Sequence, residues 1–216
     1  MAPIIINRNK NFAYRISHVH NLPHILQAGL CTKHHPKANP HFISIGNPSI
    51  LSTRDTTPVK IAGYGNIGDY VPFYFTPRSI MLYNIVTGYY APVVPRVARE
   101  DILVVRCLIK TLATTPRFFF TDGQANDAFT NHYNQTHYGK NIDWDSIQTS
   151  NFSKSDGDFD RQRRYQAEFL VHQHVPLSMI ESLCVYNRKA ATFVQSELEK
   201  AGITTIPIHI QPAYYF

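Results

Sequence analysis

One segment sets the terms for the rest of the chain: ILVVRCLI at 102–109 is the clearest core strand in its 216 residues. A strand this apolar has to lie inside a sheet, and the remaining strand signals are short and scattered. FAYRISH at 12–18 alternates and is rich in strand formers. VPFYFT at 71–76, the aromatic FFFT at 118–121, QAEFLV at 166–171, LCVY at 183–186 and 204–210 complete the set. Helices are fewer. Asn21-Leu22-Pro23 opens one, with Asn21 as a cap, Pro23 in the first turn, Leu22, Ile25 and Leu26 on its apolar face and Gly29 at its end. Further helices are predicted over 79–86, with Met81, Leu82 and Ile85 inward, over 126–133, and over 190–201, closed by Gly202. Many short strands with few helices predict an α+β fold on curved or paired sheets. Hydrophobic residues at 44% against 17% charged suit a globular chain with a sizeable core, and residues 1–216 are read as a single domain.

Two long stretches stay outside this pattern. From Cys31 to Asp69 the chain reads as mostly loop, broken by Pro36, Pro40, Pro48 and Pro58 and loosened by Gly63, Gly65 and Gly68. Residues 149–164 are polar and poor in aliphatics. Loops this long in a compact domain are more often functional than idle.

Composition narrows the function classes. A net charge of +6 favours a polyanionic partner such as nucleic acid. The three cysteines, Cys31, Cys107 and Cys184, are far apart, so neither a zinc knuckle nor a disulfide framework is indicated. The start MAPIIINRNK has no apolar h-region, and no run approaches the ~18 apolar residues of a membrane span. A cytoplasmic protein without membrane contact is expected. The 11 histidines include His20 and His24 four apart, adjacent His34 and His35, and alternating His172 and His174. None is joined by a Cys or Asp at a metal-ligand spacing, so no metal is expected. Walker A, GxGxxG and GxSxG patterns are absent.

Three segments carry more when taken together: YRISHVHNLPHILQAGL at 14–30, DYVPFYFTPRSIMLYNI at 69–85 and RYQAEFLVHQHVP at 164–176. With FISIGNPSILSTRD at 42–55, FFFTDGQAN at 118–126 and NIDWDSI at 141–147, the chain resembles the DarT family of DNA ADP-ribosyltransferase toxins along nearly its whole length. Within that family it is most similar to the branch that modifies thymidine.

The resemblance implies an ADP-ribosyltransferase fold, two small curved β-sheets forming an NAD cleft with flanking helices. It implies NAD as co-substrate, single-stranded DNA as acceptor and a macrodomain antitoxin, DarG-like, as partner. It assigns Glu168 the catalytic centre, where a carboxylate beside the ribose 2′-OH offsets oxocarbenium-like charge. Arg54 is implied as a second catalytic residue at the end of a loop over NAD, residues 37–56. A guanidinium holds its proton tightly, so Arg54 is expected to stabilise a deprotonating base or pair the NAD phosphates rather than act as base. His18, the backbone of Val19 and His20, Asn21, Gln27, Arg54 and Tyr74 are the implied NAD-binding set. The loop 149–165 would choose the acceptor, with Lys154, Arg161, Arg163, Arg164 and Tyr165 toward DNA and Phe152 and Phe159 interleaved. Read without the family, Glu168 is a strand-edge carboxylate, Arg54 a surface arginine, Tyr74 a core aromatic and the 149–165 charges a solvated loop diluted by Asp156, Asp158 and Asp160. Transfer to guanosine or protein, or a non-catalytic nucleic-acid-binding module, are the rival readings.

Overall fold

The computed structural model describes residues 12–135, 140–153 and 157–216. In chain order its elements are β1 (Phe12–His18), α1 (Leu22–Ala28), β2 (Leu30–Cys31), α2 (Pro48–Thr56), β3 (Tyr70–Tyr74), α3 (Ile80–Thr87), β4 (Ile102–Leu108), α4 (Ile109–Leu112), β5 (Phe118–Thr121), β6 (His132–Tyr133), α5 (Trp144–Gln148), α6 (Arg161–Arg164), β7 (Glu168–His172), β8 (His174–Val175), β9 (Ile180–Val185), α7 (Arg188–Lys200) and β10 (Ile208–Ile210).

The predicted core strand β4 is the hinge of the topology. Its residues Ile102 to Val105 are fully buried because β1 covers one edge and β9 the other. The sheet order is β10-β9-β4-β1-β3-β7-β5-β6, with β2 and β8 forming a separate pair. All pairings are antiparallel except β10 with β9. The eight strands divide into two halves of four. β1 and β4 pair along seven positions and β3 and β7 along five, but β1 meets β3 at one position only, Tyr14 opposite Tyr74. Past that joint, Arg15 to His18 are paired to β4 alone. A single pairing thus joins the two half-sheets.

The core follows the apolar pattern. α7 buries Ala190, Val194 and Leu198, spaced four apart on one face. Leu22, Ile25 and Leu26 of α1 are buried as expected. α3 buries Ile80, Leu82, Ile85 and Val86, capped by Ser79, while Met81 is only partly buried.

Four local expectations change. Residues 126–133 are not a helix: Asp127 Oδ1 accepts from Phe129 N–H at 2.9 Å, Asn131 donates to Asp122, and His132–Tyr133 pair with β5. These side-chain bonds offer the backbone a turn in place of a helix. The stretch from Cys31 to Asp69 is not all loop, because α2 lies within it. Asn47 accepts from Ser49 N–H and Pro48 starts the helix. Only Arg54 of that helix is buried, so no apolar stripe announces it. Asn21 does not cap α1 with its side chain, which is engaged elsewhere. The strands expected at 71–76, 166–171, 183–186 and 204–210 lie at Tyr70–Tyr74, Glu168–His172, Ile180–Val185 and Ile208–Ile210.

Candidate active site

The single joint between the half-sheets aligns three residues across the fold: Tyr14 of β1, Tyr74 at the end of β3 and Glu168 at the start of β7. Glu168 is 2% exposed. Its backbone N–H donates to Thr121 Oγ1 at 3.0 Å, and that hydroxyl donates to Gly123 O at 2.6 Å. The turn after β5 thereby fixes the first residue of β7. Glu168 Oε1 also accepts from Ala125 N–H at 3.0 Å.

Arg54 reaches the same carboxylate from α2. Its Nη1 and Nη2 donate to Oε1 and Oε2 at 3.3 and 2.8 Å, a bidentate pair across 114 residues of sequence. Burial alone would lower the Arg54 pKa, but the Glu168 carboxylate outweighs it and raises it. Burial and then Glu168 push the Tyr74 hydroxyl well above its ordinary value; that hydroxyl faces Met81 Sδ at 3.6 Å. Arg15, which motif reading did not single out, belongs to the group. Burial, then Arg54, lower its pKa to about 10, leaving it cationic at neutral pH, and its Nη1 donates to Pro72 O at 3.1 Å. Two guanidinium groups against one carboxylate leave this cleft with a net positive charge. The one signal for Arg15 in sequence was a cation inside the alternating FAYRISH strand.

Beyond the joint, Arg15, Ser17, Asn21, His24 and Ile25 line a small pocket open to solvent, together with Asn39 and Phe42 of the 37–56 segment. Asn21 ties that segment down by two bonds: Ile43 N–H donates to Oδ1 and Nδ2 donates to Ile43 O, both at 2.9 Å. A third, from Nδ2 to Ser17 Oγ at 3.1 Å, fixes the amide against β1. The 37–56 segment is therefore held at Asn21 and again at Glu168. His18 ends β1, and its Nδ1 accepts from His20 N–H at 3.2 Å in the 3-10 turn Val19–Asn21. Burial, then His20, lower the His18 pKa, so the ring that accepts this bond is neutral near pH 7. Val19 is buried in the core and His20 is exposed. Gln27 is exposed on α1 and has no described contact to the Glu168 group.

The residues expected on the acceptor side behave differently. Arg161 pairs with Asp158; Arg163 pairs with Asp160 and Asp122; Arg164 pairs with Asp143, Asp158 and Asp160. The Arg164 guanidinium holds Asp158 down at about 2. In this state all three arginines are compensated by carboxylates. Tyr165 is a correction: it is 1% exposed, packs against Phe152 and donates to Arg78 O at 2.7 Å, so its ring offers no face to a base. Lys154 lies outside the described residues.

Comparison with known proteins identifies the family and the fold. A family model described as "ssDNA thymidine ADP-ribosyltransferase, DarT" matches residues 14–216. A DNA ADP-ribosyl transferase of Escherichia coli O127:H6 (strain E2348/69 / EPEC) is 33% identical over 211 residues, 98% of this chain and 96% of that protein. The structure of Thermus sp. 2.9 DarT in complex with ADP-ribosylated ssDNA superposes with a TM-score of 0.86 at 28% identity and full coverage of both chains. The same Thermus protein in complex with NAD+ gives 0.80 at 28% identity, covering 98% of this chain and 100% of that one. A DNA ADP-ribosyl transferase–DNA ADP-ribosyl glycohydrolase fusion protein of Thermosipho africanus is 24% identical over 207 residues, which are 94% of this chain and 49% of the fusion.

Proposed function

Because the chain belongs to the DarT family and is a DNA ADP-ribosyltransferase, we propose that it transfers ADP-ribose from NAD to N3 of thymidine in single-stranded DNA, and that it acts as the toxin of a toxin–antitoxin pair. The observation that carries the reading is the buried Arg54–Glu168 pair where the two half-sheets part.

The residues fit NAD. A dinucleotide needs a carboxylate for a ribose hydroxyl, cationic donors for its phosphates and a backbone edge for its carboxamide. Glu168, Arg15 with Arg54, and the Arg15–His18 edge of β1 supply these at and beyond the joint between the half-sheets, and Arg15 also lines the open pocket. Val19 and His20 extend that edge. Asn21 acts by holding the covering segment, and Tyr74 borders the carboxylate.

In the reaction the C1′–nicotinamide bond breaks and its electron pair leaves with nicotinamide. Positive charge grows on the ribose, and Glu168 stabilises it at close range in a site largely shielded from water. The thymine N3 lone pair forms the new bond to C1′, and the N3 proton passes to Glu168 or to water. Arg54 does not take it, since its partner raises an already high pKa. Its role is to stabilise the base as negative charge develops. Single strands are the acceptor because Watson–Crick pairing buries N3. DNA marked in this way blocks replication, which makes the protein toxic. The counterpart is a macrodomain antitoxin that removes the mark; the Thermosipho relative joins a transferase and a glycohydrolase in one chain.

The test is to incubate the protein with NAD and short oligonucleotides that differ only in carrying T or G. A mass gain of one ADP-ribose on T strands alone is expected. Labelling of G strands, or of protein only, would overturn the thymidine assignment. Glu168→Ala should abolish transfer; a fully active variant would remove Glu168 from the mechanism.

A further inference from the structure

We infer that Phe129 and Phe159 form a pair of base-stacking anchors beside Glu168, gripping nucleotides that flank the acceptor base. The inference rests on the DNA reading above and specifies how the strand is held.

These two phenyl rings are 83% and 72% exposed, more than any other large apolar side chain among the described residues. Single exposed apolar residues need no explanation. Here, however, both rings project from turns that are tightly fixed, so their exposure is not a product of loose backbone. The Phe129 turn is held by Lys60, whose Nζ donates to Ala128 O and Thr130 O at 2.7 and 2.6 Å, and by the Asp127 side chain. The Phe159 turn lies between Asp158 and Asp160, both ion-paired to arginines.

Arg163 joins the two turns. Its Nη1 donates to Thr130 Oγ1 at 3.0 Å and to Asp122 Oδ1 at 3.1 Å, while its Nε and Nη2 grip Asp160, each at 2.7 Å. One guanidinium thus bonds the neighbour of Phe129 and the neighbour of Phe159. Gly123 makes room for it: a Cβ there would collide with Arg163 Nη1. The same turn supplies the Ala125 N–H that holds Glu168 Oε1. Two exposed aromatic rings are therefore bracketed rigidly to the turn that orients the carboxylate. The arginines of the bracket are paired with aspartates. What it offers is π-surface, and stacking on aromatic side chains is how single strands are held with little sequence preference.

The experiment measures transfer to an oligonucleotide with one thymidine, and to the same strand with abasic sites flanking it, using wild type and F129A/F159A. Both side chains are exposed, so the variant should fold, and its melting temperature checks this. The expected result is an oligonucleotide KM raised about ten-fold or more, from loss of stacking. NAD KM and DNA-independent NAD hydrolysis should stay unchanged. Abasic flanks should raise the wild-type KM by a similar factor and leave the variant unaffected, and F129W/F159W should keep wild-type KM. A wild-type KM in F129A/F159A, or an equal abasic penalty in both proteins, overturns the inference. If wild type labels G rather than T strands while the variant loses affinity for them, the thymidine reading fails and the stacking inference stands.

Discussion

At the scale of single residues, the Arg54–Glu168 pair does two jobs that mutation can separate. Both groups are buried, 8% and 2% exposed, so removing either leaves an uncompensated charge. That typically costs about 3–5 kcal/mol. Glu168→Ala and Arg54→Ala should each lower the melting temperature clearly, while the double replacement by Leu and Met recovers much of the loss. Equal melting of wild type and Glu168→Ala would mean the pair is open in solution. His18 gives a pH prediction. Burial, then His20, lower its pKa below 6.5, so the unfolded chain takes the proton first. The stabilisation from the neutral ring is fully present above about pH 6.5 and is lost as pH falls through the lower folded value. Protonation also ends acceptance from His20 N–H. The KM for NAD should therefore rise on acidification from pH 7 toward 5, and His18→Asn should flatten that rise. None of these couplings could be read from residue types: Glu168 is an ordinary strand-edge carboxylate in sequence, and its partner stands 114 positions away.

At the scale of elements, α2 is the part most worth testing, because it carries Arg54 and packs almost nothing apolar. Its start depends on the Asn47 cap. Asn47→Ala should cost about 1 kcal/mol locally. Since Arg54 must stay placed over Glu168, the KM for NAD should rise several-fold with kcat less affected. Asn21→Ala removes two bonds to Ile43 and should raise the KM for NAD further. An unchanged KM in both variants would show that the covering segment does not depend on these anchors. α2 was missed in sequence for the reason that makes it useful: a helix lying over a site needs no apolar stripe. The turn at 126–133 was misread as a helix because the side-chain bonds of Asp122 and Asp127 are invisible to periodicity.

At the scale of the whole molecule, a net charge of +6 suggested a basic DNA-binding surface. That net already subtracts the carboxylates, so ion pairing does not lower it; it sets which cations are compensated, and Arg54, Arg106, Arg161, Arg163 and Arg164 all face carboxylates. Held on the face of the paired Arg161, Arg163 and Arg164, a fluorescent oligonucleotide should bind with weak dependence on salt. With about −0.7 per phosphate contacted in single strands, a slope shallower than about −2 is expected. A much steeper slope would mean the arginine–aspartate network opens on binding. By itself the sequence determined the α+β class, the core strand at 102–108, the amphipathic helices and, through its motifs, the family. Apolar periodicity and short motifs are local, so they survive reading in one dimension. The tertiary structure alone decided that the sheet splits at Tyr14 and Tyr74, that Arg54 meets Glu168, that Arg15 joins them, and that Tyr165 is buried while Phe129 and Phe159 are not. Each of these depends on which distant segments come together, and contact across the fold leaves no periodic trace in the chain.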